Sequence, residues 1–103
     1  MPAPPPLTEK QWQQVVVDTA RLYGWRVYHT FDSRRSSPGF PDLVLARERM
    51  IYAELKTEKG KLSAAQVEWM HVINDAGGEF YVWRPSDRFE VDNVLRTRMP
   101  AHV

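Results

Sequence analysis

The chain reads as an α+β protein: a four-stranded mixed sheet flanked by helices, in the order αβββαβ, followed by a short C-terminal helix. Three observations carry this reading. Two stretches begin with a capping box and continue with apolar residues at helical spacing. Four other stretches are rich in β-formers, and two of these are separated only by Arg47-Glu48-Arg49. Helix and strand also alternate too irregularly for a doubly wound parallel sheet.

The elements follow in order. "MPAPPP" has too many prolines for helix or sheet, so residues 1–7 are expected to form a flexible lead-in. Thr8 is the N-cap of the first helix, with Gln11 at the capping-box position. Trp12, Val15, Val16, Thr19, Ala20 and Tyr23 give it one apolar face over about 9–23, and Gly24 closes it. "WRVYH" (25–29) is a strand. "TFDSRRSSPGF" (30–40) is irregular, loaded with Ser, Arg, Pro and Gly. Strands are expected at about 42–47 and 50–56. Ser63 and Gln66 then form a second capping box, and Ala65, Trp69, Val72, Ile73 and Ala76 mark a helical face that Gly77-Gly78 terminates. "EFYVW" (79–83) is the fourth strand. A short helix over 88–97 is expected to pack through Phe89, Val91, Val94 and Leu95. One domain is expected over 8–98, with 99–103 as a tail, since 103 residues are too few for two.

Composition narrows the function classes. Apolar residues make up 43%, enough for a modest core without staples. The absence of cysteine removes disulfides, zinc–thiolate sites and thiol nucleophiles together, and fits a reducing compartment. No apolar run approaches the roughly 18 residues of a membrane span, so a soluble, cytosolic protein with no membrane partner is expected. The net charge is only +1, and nucleic-acid binding therefore requires a local basic patch.

The hairpin poses the chemical question. A turn centred on Glu48 mirrors the two strands about that residue and sets Asp42 opposite Glu54, with Cβ atoms roughly 4.5–5.5 Å apart. Lys56 shares the Glu54 face because side chains alternate along a strand. Two carboxylates and one ammonium then meet at one end of the hairpin. Opposed like charges are destabilising unless neutralised. Lys56 supplies one positive charge; a Mg²⁺-type cation, held by one or two carboxylates with other positions left for water and phosphate, would supply the rest. Pattern alone leaves a surface ion-pair cluster open.

Pro41-Asp42, followed by Glu54-Leu55-Lys56, resembles the PD-(D/E)xK nuclease superfamily. The runs "GFPDLVL", "ELKTEKGKLSAAQ" and "GGEFYVWRPSD" are similar to its VRR-NUC branch, including small stand-alone phage and bacterial members. The resemblance spans about Thr8 to Asp87. It implies a restriction-endonuclease-like core and Mg²⁺- or Mn²⁺-dependent hydrolysis of DNA phosphodiesters, on branched DNA such as four-way (Holliday) junctions in some stand-alone members, which act as homodimers. It further implies that Asp42, Glu54 and the backbone carbonyl of Leu55 hold the metal. Lys56 would orient or deprotonate the attacking water, or offset phosphate charge. Family members often carry a site acid on the first helix; here Glu9 and Gln13, one turn apart, compete for that place, and Glu9 also complements the helix dipole. Gln66 matches the family "SxxQ" while also completing a capping box. His29 is a candidate substrate-orienting group. Ser33, Arg34 and Arg35 on one side, and Lys59 and Lys61 on the other, are candidate phosphate contacts. The rival reading is a non-catalytic DNA-binding module that keeps the nuclease fold.

Overall fold

The computed structural model describes residues 5–30 and 37–99. Helix α1 (Glu9–Leu22) leads into strand β1 (Arg26–His29). Strands β2 (Leu43–Ala46) and β3 (Met50–Leu55) form the hairpin, and α2 (Ala64–Asp75) crosses to β4 (Glu79–Trp83). A 3-10 turn (Pro85–Asp87) leads into α3 (Arg88–Arg96). The sheet runs β1-β2-β3-β4: the first two pairings are antiparallel, and β3 pairs with β4 in parallel across α2. The expected mixed sheet and element order are therefore present, with ends moved by one or two residues.

Both capping boxes form. The Thr8 hydroxyl accepts from Gln11 N and the Gln11 side chain accepts from Thr8 N, and Ser63 and Gln66 repeat the exchange. Leu7, at the end of the proline-rich lead-in, packs against the core from the staple position just before the cap.

The sheet buries its faces unequally. Leu43, Leu45, Ile51, Ala53, Leu55 and Trp83 point to one side, where Trp12, Val16, Val17 and Ala20 of α1 and Val91 and Leu95 of α3 cover them. On α2 only Ile73 is buried; Val72 is 52% exposed, so the apolar stripe expected there is only partly covered. Phe89 corrects the expected packing of α3. It is 91% exposed, because a position two residues before Val91 points away from the Val91–Leu95 stripe.

The turn between β2 and β3 does more than join strands. Arg47 Nη1 donates to Tyr23 O (3.0 Å) and Leu95 O (2.9 Å), while Arg49 Nη2 donates to Val94 O (3.0 Å). Both guanidiniums lie over the ring of Trp25, at 4.4 and 5.1 Å from its centroid. Glu48 bonds both arginines and accepts from Met99 N. The carbonyls left over where α1 and α3 end are thus satisfied by side chains from the hairpin.

Gly39 places the strap before Asp42 against α2. Its φ is +83°, and a Cβ there would lie 2.5 Å from Ala65 O and 2.7 Å from Gln66 N, both backbone atoms. Neither the conformation nor the space admits a side chain. We expect Gly39→Ala to lower stability by about 1–3 kcal/mol, read as a reduced urea midpoint at unchanged m-value.

Candidate active site

The hairpin register sets the site. Leu43 pairs with Ala53 and Val44 with Tyr52, and continuing this mirror one step places Asp42 opposite Glu54. Asp42 is fixed from both sides: its carbonyl accepts from Thr30 N (2.9 Å), and its Oδ2 accepts from Leu55 N (2.8 Å). Glu54 stands on the α2 side of the sheet and is only 2% exposed. Gln66 Nε2, in the first turn of α2, donates to Glu54 Oε1 at 3.1 Å. One glutamine thus uses its carbonyl oxygen for the cap at Ser63 and its amide nitrogen for the buried acid.

Burial, together with the neighbouring Asp42 carboxyl within hydrogen-bonding reach, pushes the Glu54 carboxyl up to about 9; Lys56 opposes this shift and Glu9 adds to it. Without a cation the pair therefore keeps a proton at neutral pH.

Lys56 leaves the sheet immediately after β3, its N–H donating to Trp83 O (3.1 Å). The same carbonyl accepts from Trp12 Nε1 (3.0 Å), which ties the start of α1 to the end of β3. Glu9, one turn from the competing Gln13, is close enough for its charge to act on Glu54. Gln13 Nε2 instead donates to His29 Nδ1 at 3.2 Å. His29 is therefore engaged by α1, on the opposite sheet face from Glu54. Lys59 and Lys61 are exposed on the loop from Lys56 back to Gln66. Ser33, Arg34 and Arg35 lie outside the described residues.

Whether these residues suit a divalent cation follows from their donors. Among the described residues no group of three or more His, Asp or Glu side chains is arranged around one point. Two hard carboxylate oxygens on facing positions, one of them buried and held protonated in the cation's absence, do suit Mg²⁺ or Mn²⁺, which is commonly bound through one or two carboxylates with water and phosphate completing its shell. The sequence expectation that Asp42 faces Glu54 matches the register, whereas the contact of the Arg84 guanidinium with the loop after Lys56 has no signal in local spacing.

A four-stranded mixed sheet with three helices, bearing an acid pair and a lysine where its central hairpin opens, defines a restriction-endonuclease-like nuclease fold. The chain belongs to the VRR-NUC family, whose domain model matches residues 6–87. A solved VRR_NUC domain protein superposes with a TM-score of 0.72 at 20% identity, covering 89% of this chain and 88% of that one. Hjc, a Holliday junction resolvase from Archaeoglobus fulgidus, superposes with a TM-score of 0.51 at 25% identity over 71% of this chain and 64% of its own. No curated protein matches the chain. Among the described residues no helix is long and apolar enough to cross a membrane.

Proposed function

We propose that this protein is a divalent-cation-dependent DNA endonuclease that hydrolyses phosphodiester bonds at branched structures such as four-way junctions. The observation that carries the proposal is the facing Asp42–Glu54 pair with Lys56 two residues on, in a chain of the VRR-NUC family. The likeness to Hjc supports the choice of substrate.

Asp42, Glu54 and the Leu55 carbonyl would hold Mg²⁺ or Mn²⁺, with Glu9 as the acid contributed by α1. A bound cation supplies Lewis acidity, lowering the pKa of water and offsetting charge on the phosphate. The residues do the rest by position. Leu55 N–H holds the Asp42 carboxylate in place, and Gln66 holds that of Glu54. Lys56 presents its ammonium beside them, to orient the attacking water or offset charge on the phosphate. The water oxygen bonds to phosphorus as the bond to the leaving sugar oxygen breaks, and no covalent bond to the protein forms. Lys59 and Lys61, with Ser33, Arg34 and Arg35, would grip backbone phosphates, making binding salt-dependent although the net charge is +1. His29, held by Gln13 on the sheet face opposite Glu54, takes no part in this reading.

The decisive measurement is a cleavage panel of labelled four-way junctions, flaps and linear duplexes with Mg²⁺, Mn²⁺ or Ca²⁺. We expect junction cutting with Mg²⁺ or Mn²⁺ and no cutting in chelator. Salt-sensitive binding without cleavage in every cation would instead establish a non-catalytic binding module. Two sites related by a two-fold axis would match paired cuts across a junction, so a homodimer is part of the proposal. Sedimentation showing only monomer at micromolar concentration would remove that part.

A further inference from the structure

The chain beyond Lys56 is held by side chains from outside the site. After donating to Trp83 O, it folds into a turn closed by Gly60 N donating to Thr57 O (3.2 Å). Arg84, the first residue after β4, reaches across this turn. Its Nη1 lies 2.6 Å from Thr57 O, 2.6 Å from Gly60 O and 3.3 Å from Glu58 O. Arg84 is itself anchored, its N–H donating to Asp87 Oδ2 (2.8 Å), and Ser86 N donates to the Glu58 carboxylate. The turn packs against the lysine stem, since a Cβ at Gly60 would lie 3.5 Å from Lys56 Cδ and 3.0 Å from Thr57 Oγ1.

We propose that Arg84 is a positioning residue: by gripping three carbonyls of the Thr57–Gly60 turn, it fixes the wall along which the Lys56 stem runs, and so the place of its ammonium beside Asp42 and Glu54. The proposal rests on the nuclease reading of that site. A lysine has four rotatable bonds, and an unbraced ammonium samples many positions. Reacting groups misplaced by about 1 Å can lower a rate by roughly 10²-fold. Arg84 Nη1 is spent on backbone oxygens, and the salt slope of binding separates this role from a DNA contact. Trp83 acts in the same sense through its backbone, its one carbonyl binding both Lys56 N and Trp12 Nε1.

The test compares wild type with Arg84→Ala and Arg84→Lys in junction cleavage and in backbone and Lys56 side-chain NMR relaxation. Lysine keeps the charge but ends one atom short of the carbonyls. We expect both variants to lose about 10–100-fold in kcat with KM and the salt slope of binding unchanged. We also expect order parameters over 57–60 to fall from near 0.85 to below about 0.6, with Lys56 side-chain motion increased. Wild-type rates in Arg84→Lys would overturn the proposal, because charge alone would then suffice. So would a raised KM with a salt slope reduced by about one, the mark of a phosphate contact. Should Arg84→Ala fail to fold, Gly60→Ala, which crowds the turn from the other side, is expected to lower kcat without changing KM, and wild-type kcat there counts against the proposal. A wild type inactive in every cation removes the nuclease reading; the relaxation data still judge Arg84, since an unchanged turn and an unchanged Lys56 in the variants overturn its positioning role.

Discussion

Under the proposed nuclease reading, Asp42→Asn is expected to lower junction cleavage by roughly 10²–10⁴-fold and to leave the fold intact. Asparagine keeps an oxygen where Asp42 Oδ2 receives Leu55 N–H, so the local backbone has no reason to move. What disappears is a negative charge facing Glu54, and with it half of the carboxylate donor pair. Lys56→Ala is expected to fall in the same range, and the double variant to lose little more than either alone, as groups acting together in one step do. Single-turnover rates with circular dichroism as the folding control decide the matter. Cleavage by Asp42→Asn within threefold of wild type would show that the chemistry lies elsewhere.

Glu54→Gln separates stability from function. In the cation-free protein, burial beside Asp42 raises the Glu54 carboxyl from an ordinary 4.5 to about 9. Below the ordinary value both folded and unfolded chains carry the proton, and the site imposes no penalty. Between about 4.5 and 9 the folded chain keeps a proton that the unfolded chain has released, so stability falls as pH rises, and the loss is complete above the folded value. After discounting for water at the mouth of the site, the swing amounts to about 2–4 kcal/mol. Glutamine carries no titrating proton, and its amide can still accept from Gln66 and donate to Asp42. We expect the variant to melt at nearly constant temperature across this range and above wild type at pH 9 without a cation. Wild type is expected to gain stability when Mg²⁺ or Mn²⁺ is added, and the variant to lose that gain. A wild-type melting curve that stays flat from pH 5 to 9 in chelator would contradict the assignment.

Much of this site could be read in the sequence because its central part is local. A turn centred on Glu48 fixes the register, and the register alone brings residues 42 and 54 together. The two capping boxes were legible for the same reason, each being a contact across three residues. The unread parts depend on distant segments meeting. Arg47 and Arg49 read in the sequence only as turn residues, and their contacts with the carbonyls of Tyr23, Val94 and Leu95 exist only once the helices have docked. The amide of Gln13 meets His29 only when α1 lies across β1. Gly39 passed as an ordinary loop glycine, since its tight approach to Ala65 exists only once α2 has docked. The apolar character of Phe89 predicts burial, but its angular position on α3 faces solvent.

The parallel pairing of β3 with β4 bears on when during synthesis the protein can act. The hairpin that carries the acids can form early, but the carbonyl bracing Lys56 belongs to Trp83, and that brace arrives only after the α2 crossover has closed. Joining strands across such a connection is slow compared with closing a hairpin. A nascent chain stalled on the ribosome before residue 83 emerges would therefore hold both acids while the brace on Lys56 is still missing.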